Sequence, residues 1–155
     1  MKLVVDTNIV FSTILNSQSR LGQILISGSK HFEFYTVSLL AEEITAHQGR
    51  IMKLSGLSEA DFDLTLRFIF KRLIFVDGVL LPQQTLIDAM KLTADIDEND
   101  TLFVALSMHL SANLWTGDKK LMEGIKAKGF NKIVSTDELY AIYLKKQLAA
   151  QSRKR

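Results

Sequence analysis

The feature that most limits what this chain can fold into is an alternation. Short apolar runs take turns with longer amphipathic stretches. Leu3-Val4-Val5, Phe32 to Thr36, Ile74-Phe75-Val76, Leu114-Trp115-Thr116 and Lys132-Ile133-Val134 read as strands. Helical patterns lie between and after them. Strands that alternate with helices pair in parallel and carry the helices on both faces, which predicts an α/β sandwich. The 155 residues suit one domain, with no repeat and no linker.

The helices come from apolar spacing and from end signals. Ile9 to Leu15 and the region around Leu21, Ile24 and Leu25 read as the first two. Ser38 stands where an N-cap would, and Leu39, Leu40, Ile44 and Ile51 keep helical phase to about Leu54. Ser58 opens a helix with acids in its first turn, and its apolar stripe is Phe62, Leu66, Ile69 and Leu73. Leu86–Leu92, Thr101–Leu110 and Leu121–Ala127 follow, and Thr136 to about Leu148 is the last.

Several chemistries are excluded at once. There is no cysteine, so disulfides, thiolate metal sites and a cysteine nucleophile are out. His31, His47 and His109 show no ligand spacing and read as surface or helix-face residues. The opening Met1 to Asp6 has no signal-peptide apolar region, and no stretch approaches the ~20 apolar residues of a membrane span. The expectation is a cytoplasmic protein without a membrane partner.

The chemistry lies in the carboxylates. In open parallel sheets ligands bind beyond the carboxyl ends of the strands. Asp6 directly follows the first strand, and Asp118 lies two residues after the strand that ends at Thr116. Either alone could simply close a strand or cap a helix. A third group, Asp95-Ile96-Asp97-Glu98-Asn99-Asp100, precedes the helix at Thr101. Asp97 or Asn99 could cap that helix, but four acids exceed what a cap needs, and they repel one another without solvent or a cation. Glu42 and Glu43 offer a fourth carboxylate, and Glu43 borders the buried stripe. Converging carboxylates suit Mg²⁺ or Mn²⁺, which prefer oxygen ligands.

These residues together resemble a PIN domain. The resemblance rests on Leu3-Val4-Val5-Asp6-Thr7-Asn8, Glu43-Ile44, Asp100 before Leu102-Phe103-Val104-Ala105-Leu106, and Leu114-Trp115-Thr116-Gly117-Asp118-Lys119-Lys120-Leu121. It covers about residues 1–137. The most similar subgroup is the PIN proteins of bacteria and archaea described as toxins of toxin–antitoxin pairs. VapC-type toxins are related and usually shorter. The resemblance implies a three-layer α/β/α sandwich around a mainly parallel sheet, and a Mg²⁺- or Mn²⁺-dependent ribonuclease acting on single-stranded RNA. Its implied catalytic acids are Asp6, Glu43, Asp100 and Asp118, with Asn8 and Thr116 in support. The implied metal ligands are Asp6, Asp100 and Asp118, with Asp97 the alternative to Asp100. An antitoxin partner and a homodimer are implied as well.

Two rivals stand beside that reading. One is a PIN-like module that binds RNA or protein without cutting. The other is a haloacid-dehalogenase-like phosphatase, which also places an Asp after the first strand. That chemistry needs a second Asp two residues on as general acid, and Asn8 stands there instead.

Charge divides the chain. Residues 145–155 hold Lys145, Lys146, Arg153, Lys154 and Arg155 with no acid, which leaves fourteen basic against seventeen acidic residues ahead of them. The net charge of +2 is therefore a domain at −3, residues 1–144, plus a basic tail at +5. Such a tail either attracts RNA backbone or is a solvated terminus.

Overall fold

A computed structural model describes residues 1–154; Arg155, the last of the basic residues, lies outside them. Five strands form one sheet: β1 (Lys2–Val5), β2 (Glu33–Val37), β3 (Leu73–Val76), β4 (Asn113–Trp115) and β5 (Ile133–Val134). Their order is β3-β2-β1-β4-β5, and every pairing is parallel. Parallel neighbours cannot be joined by tight hairpins, so each connection carries helix. α1 (Thr7–Leu15) and α2 (Arg20–Ser27) join β1 to β2. α3 (Leu39–Ala46), α4 (Gln48–Ser55) and α5 (Glu59–Phe70) join β2 to β3. α6 (Gln83–Thr93) and α7 (Thr101–Leu110) lead to β4, α8 (Lys119–Ala127) leads to β5, and α9 (Thr136–Arg153) closes the chain. The architecture is the α/β sandwich that the alternation predicts.

The sheet is the core. Leu3, Val4, Val5, Leu114 and Trp115 of the two central strands are fully buried. A strand covered on both faces has no polar side to alternate with, which is why these segments are unbroken apolar runs. Phe103 to Leu106 of α7 and Ile9 and Val10 of α1 are buried as well. Trp115 Nε1, inside this layer, donates to the Thr136 hydroxyl at 3.1 Å.

Three local expectations change. The helix expected from Ser38 to Leu54 is two helices, with the break at His47. Leu40, Ile44 and Ile51 are all buried, so the apolar phase runs across the break and conceals it. Ser38 does not cap α3 with its side chain; its backbone N–H donates to the Val76 carbonyl at 3.1 Å and ties β2 to β3. Leu73 belongs to β3 rather than to α5, which stops at Phe70. Ser58 does cap α5, accepting from the Asp61 N–H at 3.1 Å.

The last helix is longer than expected. It runs to Arg153, so the charge boundary at 144/145 falls inside α9. Being the return helix after β5, it starts at the carboxyl edge of the sheet and runs toward the opposite edge. Tyr143 already sits beside His31, just ahead of β2, with ring centroids 6.3 Å apart. The described basic residues beyond it, Lys145 to Lys154, therefore lie toward the amino edge. Among the described residues no helix is long and apolar enough to cross a membrane.

Candidate active site

The strand order reverses between β1 and β4, because the chain leaves β1 toward β2 and later returns to β4 on the other side. A crevice at the carboxyl ends of two such strands is the expected ligand position. Val5 pairs with Trp115 there, and the Asp6 N–H donates to the Trp115 carbonyl at 3.2 Å. One groove at this point is lined by Asp6, Thr7, Asn8, Phe11, Glu43, His47, Arg50, Asp97, Asn99, Asp100 and Asp118. The acids singled out in the sequence thus come from four separate segments to one place.

A hydrogen-bonded brace fixes Asp6, which is buried. Its Oδ2 accepts from the Thr116 hydroxyl at 2.7 Å and from Asn8 Nδ2 at 3.2 Å. Asn8 Oδ1 accepts from the Gly117 N–H at 3.3 Å, and the Thr116 hydroxyl oxygen accepts from the Asp118 N–H at 3.1 Å. The Thr-Gly-Asp turn after β4 is thereby tied to the Asp-Thr-Asn turn after β1. Asp118 spends one oxygen as the N-cap of α8, accepting from the Leu121 N–H at 3.1 Å. Asn8 is wholly engaged as a brace, which leaves nothing at that position to serve a phosphatase as general acid.

Asp97 and Asp100 have different surroundings. Asp97 is exposed, and its Oδ1 caps the short turn Glu98–Asp100 by accepting from the Asn99 N–H at 2.9 Å. Asp100 is buried at the start of α7, and its Oδ2 has no hydrogen-bond partner. Glu43 is half-buried on α3, and its Oε1 is also without a partner. The Thr7 hydroxyl lies outside hydrogen-bond geometry but near enough to Glu43 to act on its carboxyl.

The electrostatics follow from this crowding. Burial raises the Asp6 carboxyl above its ordinary value, opposed by the Thr116 hydroxyl and reinforced by the charges of Asp118 and Asp97. Burial likewise raises Glu43, with Thr7 opposing and Asp6 adding to the effect. Asp100 is pushed up to about 7, first by burial and then by Asp6, Asp97, Asp118 and Glu43. Like charges that share a poorly solvated groove resist joint ionisation.

Buried carboxylate oxygens without partners are uncommon in folded proteins and mark places where a ligand is missing from the count. Oxygen-only donors at such a place fit a hard divalent cation. Among the described residues no three His, Asp or Glu side chains form a ready-made ligand cluster. The acids line the groove instead, an arrangement compatible with an ion that keeps part of its hydration shell, as Mg²⁺ does. A second groove, lined by Thr13, Ser17, Ile26, Leu64, Thr65, Phe68 and Ile69, has no titratable group and offers no such chemistry.

The sequence reading set His47 aside as a surface or helix-face residue and passed over Phe11 and Arg50, yet all three line the groove. His47 and Arg50 lie four and seven positions after Glu43, a spacing that would share one face of the single helix expected there, although the break at His47 puts Arg50 on α4. That spacing was the available signal.

Comparison with known proteins bears on the family and the fold. The profile of the family described as PIN domain matches residues 4–140, and the chain belongs to that family. PIN domains are in general nucleases and typically use divalent metal ions. No curated protein matches the sequence. Among solved structures, VapBC2 from Rickettsia felis, bound to a DNA fragment from their promoter, is similar at a TM-score of 0.61 and 18% identity, covering 87% of this chain and 97% of that one. PAE2754 from Pyrobaculum aerophilum is similar at 0.66 and 11% identity, covering 93% and 90%. The PilT N-terminus domain protein SSO1118 from Sulfolobus solfataricus P2 is similar at 0.54 and 17% identity, covering 93% and 94%. At these identities the likeness is one of fold.

Proposed function

We propose that the protein is a Mg²⁺- or Mn²⁺-dependent endoribonuclease that hydrolyses single-stranded RNA, and that it is the toxin of a toxin–antitoxin pair. The observation that carries this reading is the meeting of Asp6, Glu43, Asp100 and Asp118 at one groove, with unpartnered oxygens on two of them. Asp6, Asp100 and Asp118 would hold the metal. Asp100 is favoured over Asp97 because it is buried and unpartnered, whereas Asp97 already caps a turn.

A bound divalent cation polarises the phosphate and lowers the pKa of a water in the site. The chain supplies the rest. Thr116 and Asn8 hold Asp6 in one orientation, so the site is set before substrate arrives. Glu43 has a free oxygen on the groove wall, which makes it the candidate general base, and burial raises its carboxyl above the ordinary value. It would orient the attacking water and take its proton as one P–O bond forms and another breaks.

The pairing in the Rickettsia felis structure supports an antitoxin partner. Leu64 and Phe68 on α5 are exposed apolar side chains that could meet such a partner or a second copy in a homodimer. A cytoplasmic setting, where RNA is found, completes the reading. A neighbouring reading frame for a small acidic or DNA-binding protein would support the pairing.

The test is cleavage of mixed cellular RNA with end mapping. Asp6→Asn and Asp118→Asn proteins should stay folded by circular dichroism and lose cleavage, and EDTA should abolish it in the native protein. Full activity in both variants, or undiminished activity in EDTA, refutes the proposal. RNA bound normally but never cut under any divalent metal would instead mean a binding module.

A further inference from the structure

The groove that gathers the acids holds one arginine or lysine, Arg50 on α4. Its guanidinium lies over the ring of Phe11, 6.0 Å from the centroid. Among the described residues the ion pairs are Arg20 with Asp137 and Lys128 with Asp95, so Arg50 shares a groove with five carboxylates and pairs with none. The side chain is exposed, while Phe11 beneath it is half-buried on α1. An aromatic face fixes a guanidinium without using its N–H donors. Arg50 thus stands over Phe11 at the groove with its N–H donors outside any ion pair.

A wall of carboxylates repels a polyanion, and cations bound among them offset only part of that charge. A substrate with many phosphates needs another place of positive charge along its path. A planar guanidinium meets a phosphate through two parallel hydrogen bonds. We propose that Arg50, seated on Phe11, is a positioning residue that takes a backbone phosphate of a single-stranded polynucleotide beside the phosphodiester that is cut. The proposal rests on the nuclease reading of the groove. It adds the side from which the strand is held, the α4 wall rather than the α8 wall.

The experiment measures affinity and cleavage separately. Fluorescence anisotropy of a labelled oligouridylate, titrated in CaCl₂ over a series of KCl concentrations, gives affinity and its salt slope. Arg50→Ala should weaken binding about tenfold and reduce the slope by about 0.7, the value for one lost phosphate contact on a single strand. Arg50→Lys should keep the slope and recover part of the affinity, because charge survives without the fork. In MgCl₂ the Ala variant should raise KM while kcat stays within about threefold. Arg20→Ala, outside the groove, should change none of these.

Unchanged affinity and slope in Arg50→Ala overturn the proposal, as does a loss confined to kcat. Should the native protein bind the oligonucleotide but cut no RNA, the nuclease reading fails and the salt slope alone decides Arg50. Should the native protein bind no oligonucleotide, both fail.

Discussion

Replacing Asp100 by Asn should stabilise the metal-free protein. The carboxyl is held at about 7 in the fold against 3.8 in the ordinary state, so the native protein keeps a proton that the unfolded chain has released. Between those two values the folded state loses ground as pH rises, because it binds more protons than the unfolded state. The loss is complete only above about 7. A gap of about three pH units corresponds to ~4 kcal/mol at 1.36 kcal/mol each. One side of the groove is open to water, where screening is strong, so about half of this, ~2 kcal/mol, is the realistic figure. Asn removes the charge and forfeits no hydrogen bond, since Asp100 Oδ2 makes none. For a chain of this size ~2 kcal/mol raises Tm by roughly 4–8 °C. Thermal melts in EDTA should show that gain at pH 8 and almost none at pH 3. Adding MgCl₂ at pH 8 should then raise the native protein more than the variant, because ligand binding stabilises only what binds it. An Asp100→Asn protein that melts no higher than the native one at pH 8, or whose gain is as large at pH 3, refutes the reasoning.

Thr116→Val should cost about 1–3 kcal/mol, because it leaves the Asp118 N–H and Asp6 Oδ2 without the bonds at 3.1 and 2.7 Å. Its acid limb in a pH–rate profile should move to higher pH, since that hydroxyl holds Asp6 down. Gly22→Ala should destabilise by more than about 1 kcal/mol, because a Cβ there would lie 2.5 Å from the Ser17 carbonyl oxygen. Gly49→Ala, with nothing within 4 Å, should gain up to about 1 kcal/mol in denaturant melts. Deleting residues 149–155 should leave the salt slope of RNA binding unchanged, since α9 carries residues 149–153 toward the sheet edge away from the groove.

The parts of the fold legible in the sequence are those fixed by local pattern. Leu3-Val4-Val5 followed by Asp6 is a buried strand that ends at a groove-lining acid, and two-sided burial alone accounts for the run. Asp100 could be placed because it leads directly into the apolar helix α7. The break at His47 could not, because Ile44 and Ile51 stay buried on both sides of it. Both α3 and α4 pack against α1, and the local signal of the break is slight, a single Gly49 two residues on. Arg50 was missed for a related reason. An exposed arginine on a helix looks solvated until the ring beneath it, thirty-nine positions earlier in the chain, is known. α9 runs past Leu148 because Ala149-Ala150-Gln151 are good helix formers with no breaker among them, and the charge step at 145 does not mark its end.

The direction of α9 has one further consequence. β1 begins at Lys2 on the amino edge of the sheet, and α9 returns to that same edge. Both ends of the described chain therefore leave the molecule on the side opposite the acidic groove. A fluorophore, an affinity handle or a surface tether attached at either end would leave the mouth of the groove clear. A tether at the end of α9 would serve force or residence-time measurements on whatever the groove binds.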